Sequence, residues 1–151
     1  MIKENTTDII VCAQSMDPLV PGRGMGHVLP ESLKEAGAEA LFLNHAENPK
    51  TVSDLYATIK RAKELDMITV ICADSVVEAK AVACMNPDIV LAEPTDLIGT
   101  GQVADDSYTI ETVKALNAIN PNVLVMIASG VSTAEDCYNV VKLGADGTGA
   151  T

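Results

Sequence analysis

Basic side chains, aromatic rings, long apolar runs and paired cysteines are all scarce in this chain, and each scarcity argues against a class of function. Lys and Arg number 10 against 21 Asp and Glu, giving a formal net charge of −11. Nucleic-acid phosphates are held by clustered cations, so this balance argues against a nucleic-acid partner. Aromatic residues make up 3% and tryptophan is absent, which leaves little to stack on bases. The closest basic group, Lys60, Arg61 and Lys63, reads as the solvated face of a helix.

Hydrophobic residues reach 48%, yet no apolar run approaches the ~20 residues of a membrane span. The opening MIKENTTDIIVCAQ has no apolar stretch leading to a small-residue cleavage site. A soluble, cytoplasmic protein with no membrane partner is therefore expected. Cys12, Cys72, Cys84 and Cys137 show no metal-ligand spacing, and two of them sit in apolar runs. Buried free thiols are the expectation, with neither metal nor cofactor.

What is present is a repeated alternation. Short runs of Val, Ile and Leu recur, each followed by a longer stretch with helical periodicity, the pattern of an α/β fold. Strands are expected near 8–13, 40–43, 68–73, 89–92 and 123–127, with a last one from about 146. Helices are expected near 30–36, 51–65, 75–85, 109–119 and 133–143. Thr51 and Thr133 precede acids in the position of N-caps, Gly37 and Gly144 fit left-handed C-caps, and Pro87 and Pro121 bar helix continuation. Near-continuous apolar strands imply a parallel sheet covered by helices. No linker or charge block divides residues 1–151, so one domain is expected. Periodicity alone leaves a closed barrel and an open doubly wound sheet as alternatives; six strand units are too few for eight strands and favour the open sheet.

In parallel α/β folds, ligands collect beyond the C-terminal ends of strands. The residues there are unusually polar: Gln14 and Asp17, then Asn44, His45 and Glu47, then Asp74, Glu93, and Ser129, Gly130 and Ser132. Taken alone, His45 reads equally as a capping or core histidine and Glu93 as a solvated loop acid. Together they suit proton transfer at a carbon beside a carbonyl, where a carboxylate takes the proton and an imidazole polarises the oxygen. No metal is needed. In EPTDLIGTG, Pro94 stiffens the exit of Glu93 from its strand, and Gly99 and Gly101 permit a loop that closes and offers bare amides. The turn SGVSTAED leads into a helix N-terminus that favours a phosphate, and GADGTGAT supplies a third glycine-containing loop. A small phosphorylated substrate is the joint reading.

Three segments, GHVLPESLKEAGAEALFLNHAEN, AEPTDLIGTG and IASGVSTAED, resemble the triosephosphate isomerase family, and more closely its compact archaeal-type and bacterial isomerase-like branches. The resemblance implies a partial TIM (β/α)8 barrel whose six β/α units correspond to the family's third to eighth strands. It implies interconversion of dihydroxyacetone phosphate and glyceraldehyde 3-phosphate, or of a related short sugar phosphate, within glycolysis and gluconeogenesis. His45 would be the electrophile and Glu93 the base, a pair whose states belong to the family's known chemistry. Asn44 and Glu47 would support them. Ile98, Gly99, Gly130, Val131 and Thr151 would meet the substrate phosphate, and the loop from Gly24 to His27 would join subunits into a homo-oligomer, a dimer or tetramer. The chain departs from the family pattern in three places. The family's first strand, bearing an asparagine and a lysine, has no counterpart; the segment ends where the last phosphate loop would begin; and NHAEN replaces the commoner serine and arginine. An alternative is a non-catalytic barrel fragment that binds phosphate or assembles with a partner through its exposed strand edges. A further expectation is that these residues are part of a longer isomerase.

Overall fold

The computed structural model describes residues 2–97, 105–128 and 130–149. They fall into two compact units, one up to Val70 and one from Ile71.

The first unit opens with a 3₁₀ turn, Lys3–Asn5, followed by β1 (Cys12–Ala13), α1 (Pro30–Glu35), β2 (Ala40–Leu43) and α2 (Val52–Glu64). β1 runs parallel to β2, with Cys12 opposite Ala40 and Ala13 opposite Leu41. The strand expected from residue 8 is thus reduced to two residues. Its partner explains the loss: continuing the register would set residues 8–11 against residues 36–39, where Ala36 caps α1 and Gly37 turns with φ +93. Ile9 and Ile10 are consequently exposed. α2 begins as expected, with the Asp54 amide donating to Thr51 Oγ1 at 3.1 Å, and its buried residues, Leu55, Thr58, Ile59 and Ala62, form one helical stripe.

Arg61 on that helix corrects the solvated-face reading. Its side chain is 14% exposed, pairs with Glu31 and Glu64, and donates through Nε to the Leu19 carbonyl at 2.8 Å. A guanidinium has five donors in a planar fork, so one residue can tie α2 to α1 and to the loop before α1. Lys60 and Lys63 remain exposed.

β3 (Ile68–Ala73) begins in the first unit and ends in the second, which continues with α3 (Val76–Ala83), β4 (Ile89–Ala92), a 3₁₀ turn at Thr95–Leu97, α4 (Asp106–Ile119), β5 (Leu124–Ile127), α5 (Ala134–Lys142) and β6 (Gly147–Thr148). β4 and β5 pair in parallel from Ile89 opposite Leu124 to Ala92 opposite Ile127. β5 and β6 follow with Met126 opposite Gly147. The core of this unit gathers Val82, Val90, Leu116, Val125 and Ile127, each at most 2% exposed. α4 starts three residues earlier than its apolar pattern implies, because Asp105 caps it by accepting the Ser107 amide at 3.1 Å.

The six strands are parallel and follow one another in chain order, β1 to β6. A doubly wound sheet requires a point at which the order turns back. None occurs here. The singly wound order is that of a partial (β/α) barrel, which corrects the open-sheet preference drawn from periodicity alone. Among the four cysteines only Cys72 is buried; Cys12 and Cys84 are exposed and Cys137 is half-buried. Cys12 lies on a two-residue strand and Cys84 at the C-cap of α3, positions that an apolar sequence window does not distinguish from core. No helix among the described residues is long and apolar enough to cross a membrane.

Candidate functional site

The end of β2 is organised by Asn44, which takes φ +59. Few side chains tolerate the left-handed region, and asparagine is among them. Its Oδ1 accepts the Lys50 amide at 3.0 Å, closing residues 44–50 into a loop. Within that loop the Glu47 amide donates to His45 Nδ1 at 3.2 Å. An N–H can donate only to an unprotonated ring nitrogen, so in this geometry the proton of a neutral His45 sits on Nε2. The imidazole then presents a donor on the side away from Glu47. The Glu47 carboxylate stands 3.8 Å from the same Nδ1 and is 90% exposed, so it flanks the ring on its Nδ1 side.

Two contacts fasten this loop to the segment after β1. Asn48 Nδ2 donates to Ser15 Oγ at 3.2 Å, and Lys50 Nζ lies 3.4 Å from Asp17 Oδ1. Asp17 also accepts the Val28 amide at 2.8 Å and stands 3.3 Å from His27 Nδ1. Burial acts to raise the Asp17 pKa, but the Val28 amide, Lys50 and His27 outweigh it and hold the carboxyl below its ordinary value. The acid after β1 was legible in the sequence as a strand-end residue. Lys50, Ser15 and Asn48 carried no sequence signal, because their pairing is tertiary.

In the second unit, β4 delivers Glu93, whose amide donates to the Ala73 carbonyl at 2.8 Å. Its side chain is half-buried. Pro94 follows, and its carbonyl accepts the Leu97 amide at 3.0 Å, forming the 3₁₀ turn. Cys72 lies within reach of the Glu93 charge: burial first, then Glu93 and Glu78, push its thiol up to about 12. Cys72 is therefore a neutral thiol and no nucleophile. Ile98 and Gly99, together with Gly101, lie outside the described residues, as do Ser129 and Thr151.

After β5, Gly130 adopts φ +71 and Val131 is buried. The α5 N-terminus departs from the anion-site expectation. Asp136 accepts the Ser132 amide at 3.1 Å and the Thr133 amide at 2.9 Å, while its own amide donates to Thr133 Oγ1. This capping box already places a carboxylate where a phosphate was expected, and its amide donors lower the Asp136 pKa. Among the described residues, no group of His, Cys, Asp and Glu is arranged to hold a metal ion.

The family model for triosephosphate isomerase matches residues 1–150. The chain is 37% identical over 150 residues to the triosephosphate isomerase of Methanocaldococcus jannaschii, covering 97% of this chain and 68% of that protein. It is 38% identical over 149 residues to that of Methanothermus fervidus, with 97% and 67% covered, and 35% identical over 144 residues to that of Sulfurisphaera tokodaii, with 94% and 63% covered. The chain thus spans about two thirds of the length of the curated relatives it matches.

Proposed function

The chain belongs to the triosephosphate isomerase family, and on that premise we propose that it serves the interconversion of dihydroxyacetone phosphate and glyceraldehyde 3-phosphate. Glu93 is the base: it removes a proton from the carbon beside the carbonyl, and the bonding pair moves into an enediolate. His45 donates from Nε2 to the oxygen that becomes negative. His45 recovers a proton from the adjacent hydroxyl, which becomes the new carbonyl, and Glu93 returns its proton to the neighbouring carbon, so the isomerisation closes with no cofactor. Asn44 and Glu47 support His45. Amides of Ile98, Gly99, Gly130 and Val131, with Thr151, hold the phosphate. The loop from Gly24 to His27 joins copies of the chain, and the enzyme works in the cytoplasm within glycolysis and gluconeogenesis.

The observation that supports this reading is the Glu47 amide on His45 Nδ1, which places the proton of the ring's neutral form on Nε2. The test is hydrogen–deuterium exchange at the reacting carbon of dihydroxyacetone phosphate in D₂O. Exchange should exceed the protein-free rate and be lost in Glu93→Gln; exchange unaffected by that substitution would remove Glu93 from its role.

A second reading, a non-catalytic module that binds phosphate or assembles with a partner, is favoured by the exposed Ile9 and Ile10 beside the short β1. Apolar residues next to a strand edge invite pairing with another chain. It expects phosphate binding or self-association without proton exchange.

A further inference from the structure

The loop bearing His45 is anchored through a charge. Lys50 is 14% exposed at its side chain, so water solvates its ammonium poorly and a counter-ion is needed. Asp17 supplies it at 3.4 Å. The backbone amide of the same lysine is held by Asn44 Oδ1, and Asn44 is the left-handed residue directly before His45. One residue thereby links Asp17 to the turn that sets the direction of the imidazole. Asp17 is itself fixed from the far side by the Val28 amide and His27. The other fastening, Asn48 to Ser15, joins two neutral groups at 3.2 Å, and neutral hydrogen bonds are weaker than charge-assisted ones.

We infer that Asp17, acting through Lys50 and Asn44, is a positioning residue that orients His45. The inference rests on the reading of His45 as the group that polarises the substrate carbonyl. Its consequence for rate is large, because misplacing a reacting group by about 1 Å costs on the order of 10²-fold. Asp17 does this without touching substrate, which separates it from Glu93 and His45 themselves.

The test uses the full chain with Asp17→Asn, Lys50→Met, the double variant and Lys50→Arg. Asp17→Asn keeps an acceptor for the Val28 amide while removing the countercharge, and Lys50→Met cuts the same link from the other end. Nitrogen-15 spectra of the His45 ring read its tautomer without requiring turnover. Both single variants should shift the Nδ1 and Nε2 resonances, the double variant should shift them no further, and Lys50→Arg should restore them. With dihydroxyacetone phosphate, kcat should fall roughly 10- to 100-fold in the single variants while KM stays within about twofold. Ser15→Ala, which cuts the neutral fastening, should move His45 less. The inference is overturned if Lys50→Met leaves the His45 spectrum unchanged, if the two single effects add, or if Ser15→Ala matches them. Should Asp17→Asn fail to fold, Lys50→Met and its arginine rescue decide the matter. A chain that shows the spectral link but no turnover overturns the isomerase reading and leaves the positioning link standing.

Discussion

Replacing Asn44 by alanine and by glycine separates the two things that this residue does. Asn44 holds φ +59 and accepts the Lys50 amide at 3.0 Å in a partly buried setting. Alanine loses the acceptor and leaves an amide unpaired, which costs about 1–3 kcal/mol. It also sits less well than asparagine in the left-handed region, adding roughly 1 kcal/mol. The sum is about 2–4 kcal/mol. Glycine loses the same acceptor but relieves the backbone, and its extra freedom in the unfolded chain returns part of that relief, so its cost should be about 1–2 kcal/mol. With a urea slope of about 1–3 kcal/mol per molar for small proteins, alanine should lower the unfolding midpoint by about 1 M or more and glycine by roughly half as much. Urea titration followed by circular dichroism reads both. A glycine variant as unstable as the alanine variant would show that the left-handed backbone costs nothing here. No shift in either would refute the role given to the Lys50 contact.

Other expectations are as direct. Leu116→Ala, in a fully buried position on α4, should cost about 2–5 kcal/mol, whereas Ile110→Ala, half-exposed on the same helix, should stay within about 0.5 kcal/mol; thermal melts compare them. Iodoacetamide at pH 8 with peptide mass spectrometry should label the exposed Cys84 readily and Cys12, whose thiol is pushed up by burial, more slowly. Cys72, buried and with its thiol pushed up to about 12, should be labelled only after unfolding. The folded-state pKa values of Asp136 and Asp17 are depressed, so their stabilisation is present above the unfolded carboxylate value and is lost as pH falls through the lowered folded value. Acid titration of stability should show that loss, and Asp136→Asn should flatten it; an unchanged acid slope would argue against the capping carboxylate.

The strands β2, β3 and β4 coincide with the apolar runs that announced them, because a strand covered on both faces leaves no polar alternation to blur its ends. β1 does not coincide, since Ile9 and Ile10 look like strand to any local window while the partner needed to pair them has already turned at Gly37. The start of α4 was missed for the opposite reason: Asp105 and Asp106 resemble loop acids until one is seen to cap the other's turn. His45 and Glu93 were legible as polar residues ending apolar runs. The tautomer of His45 was not, because it depends on an amide two residues on. Asp136 shows the limit from the other side. Its spacing from Thr133 correctly announced a cap, and that same cap occupies the amides that the glycine-containing turn seemed to offer to a phosphate.

The strand order that never turns back also shapes how the chain can reach its structure. Residues 12 and 40, 89 and 124, and 126 and 147 are paired, so the sequence separations across these ladders are only roughly 20–35 residues, and closing a loop of that length differs little in entropy from one to the next. Local pairings of this kind favour fast folding. During synthesis, each strand can find its neighbour as soon as the intervening helix has been made, without waiting for a distant segment.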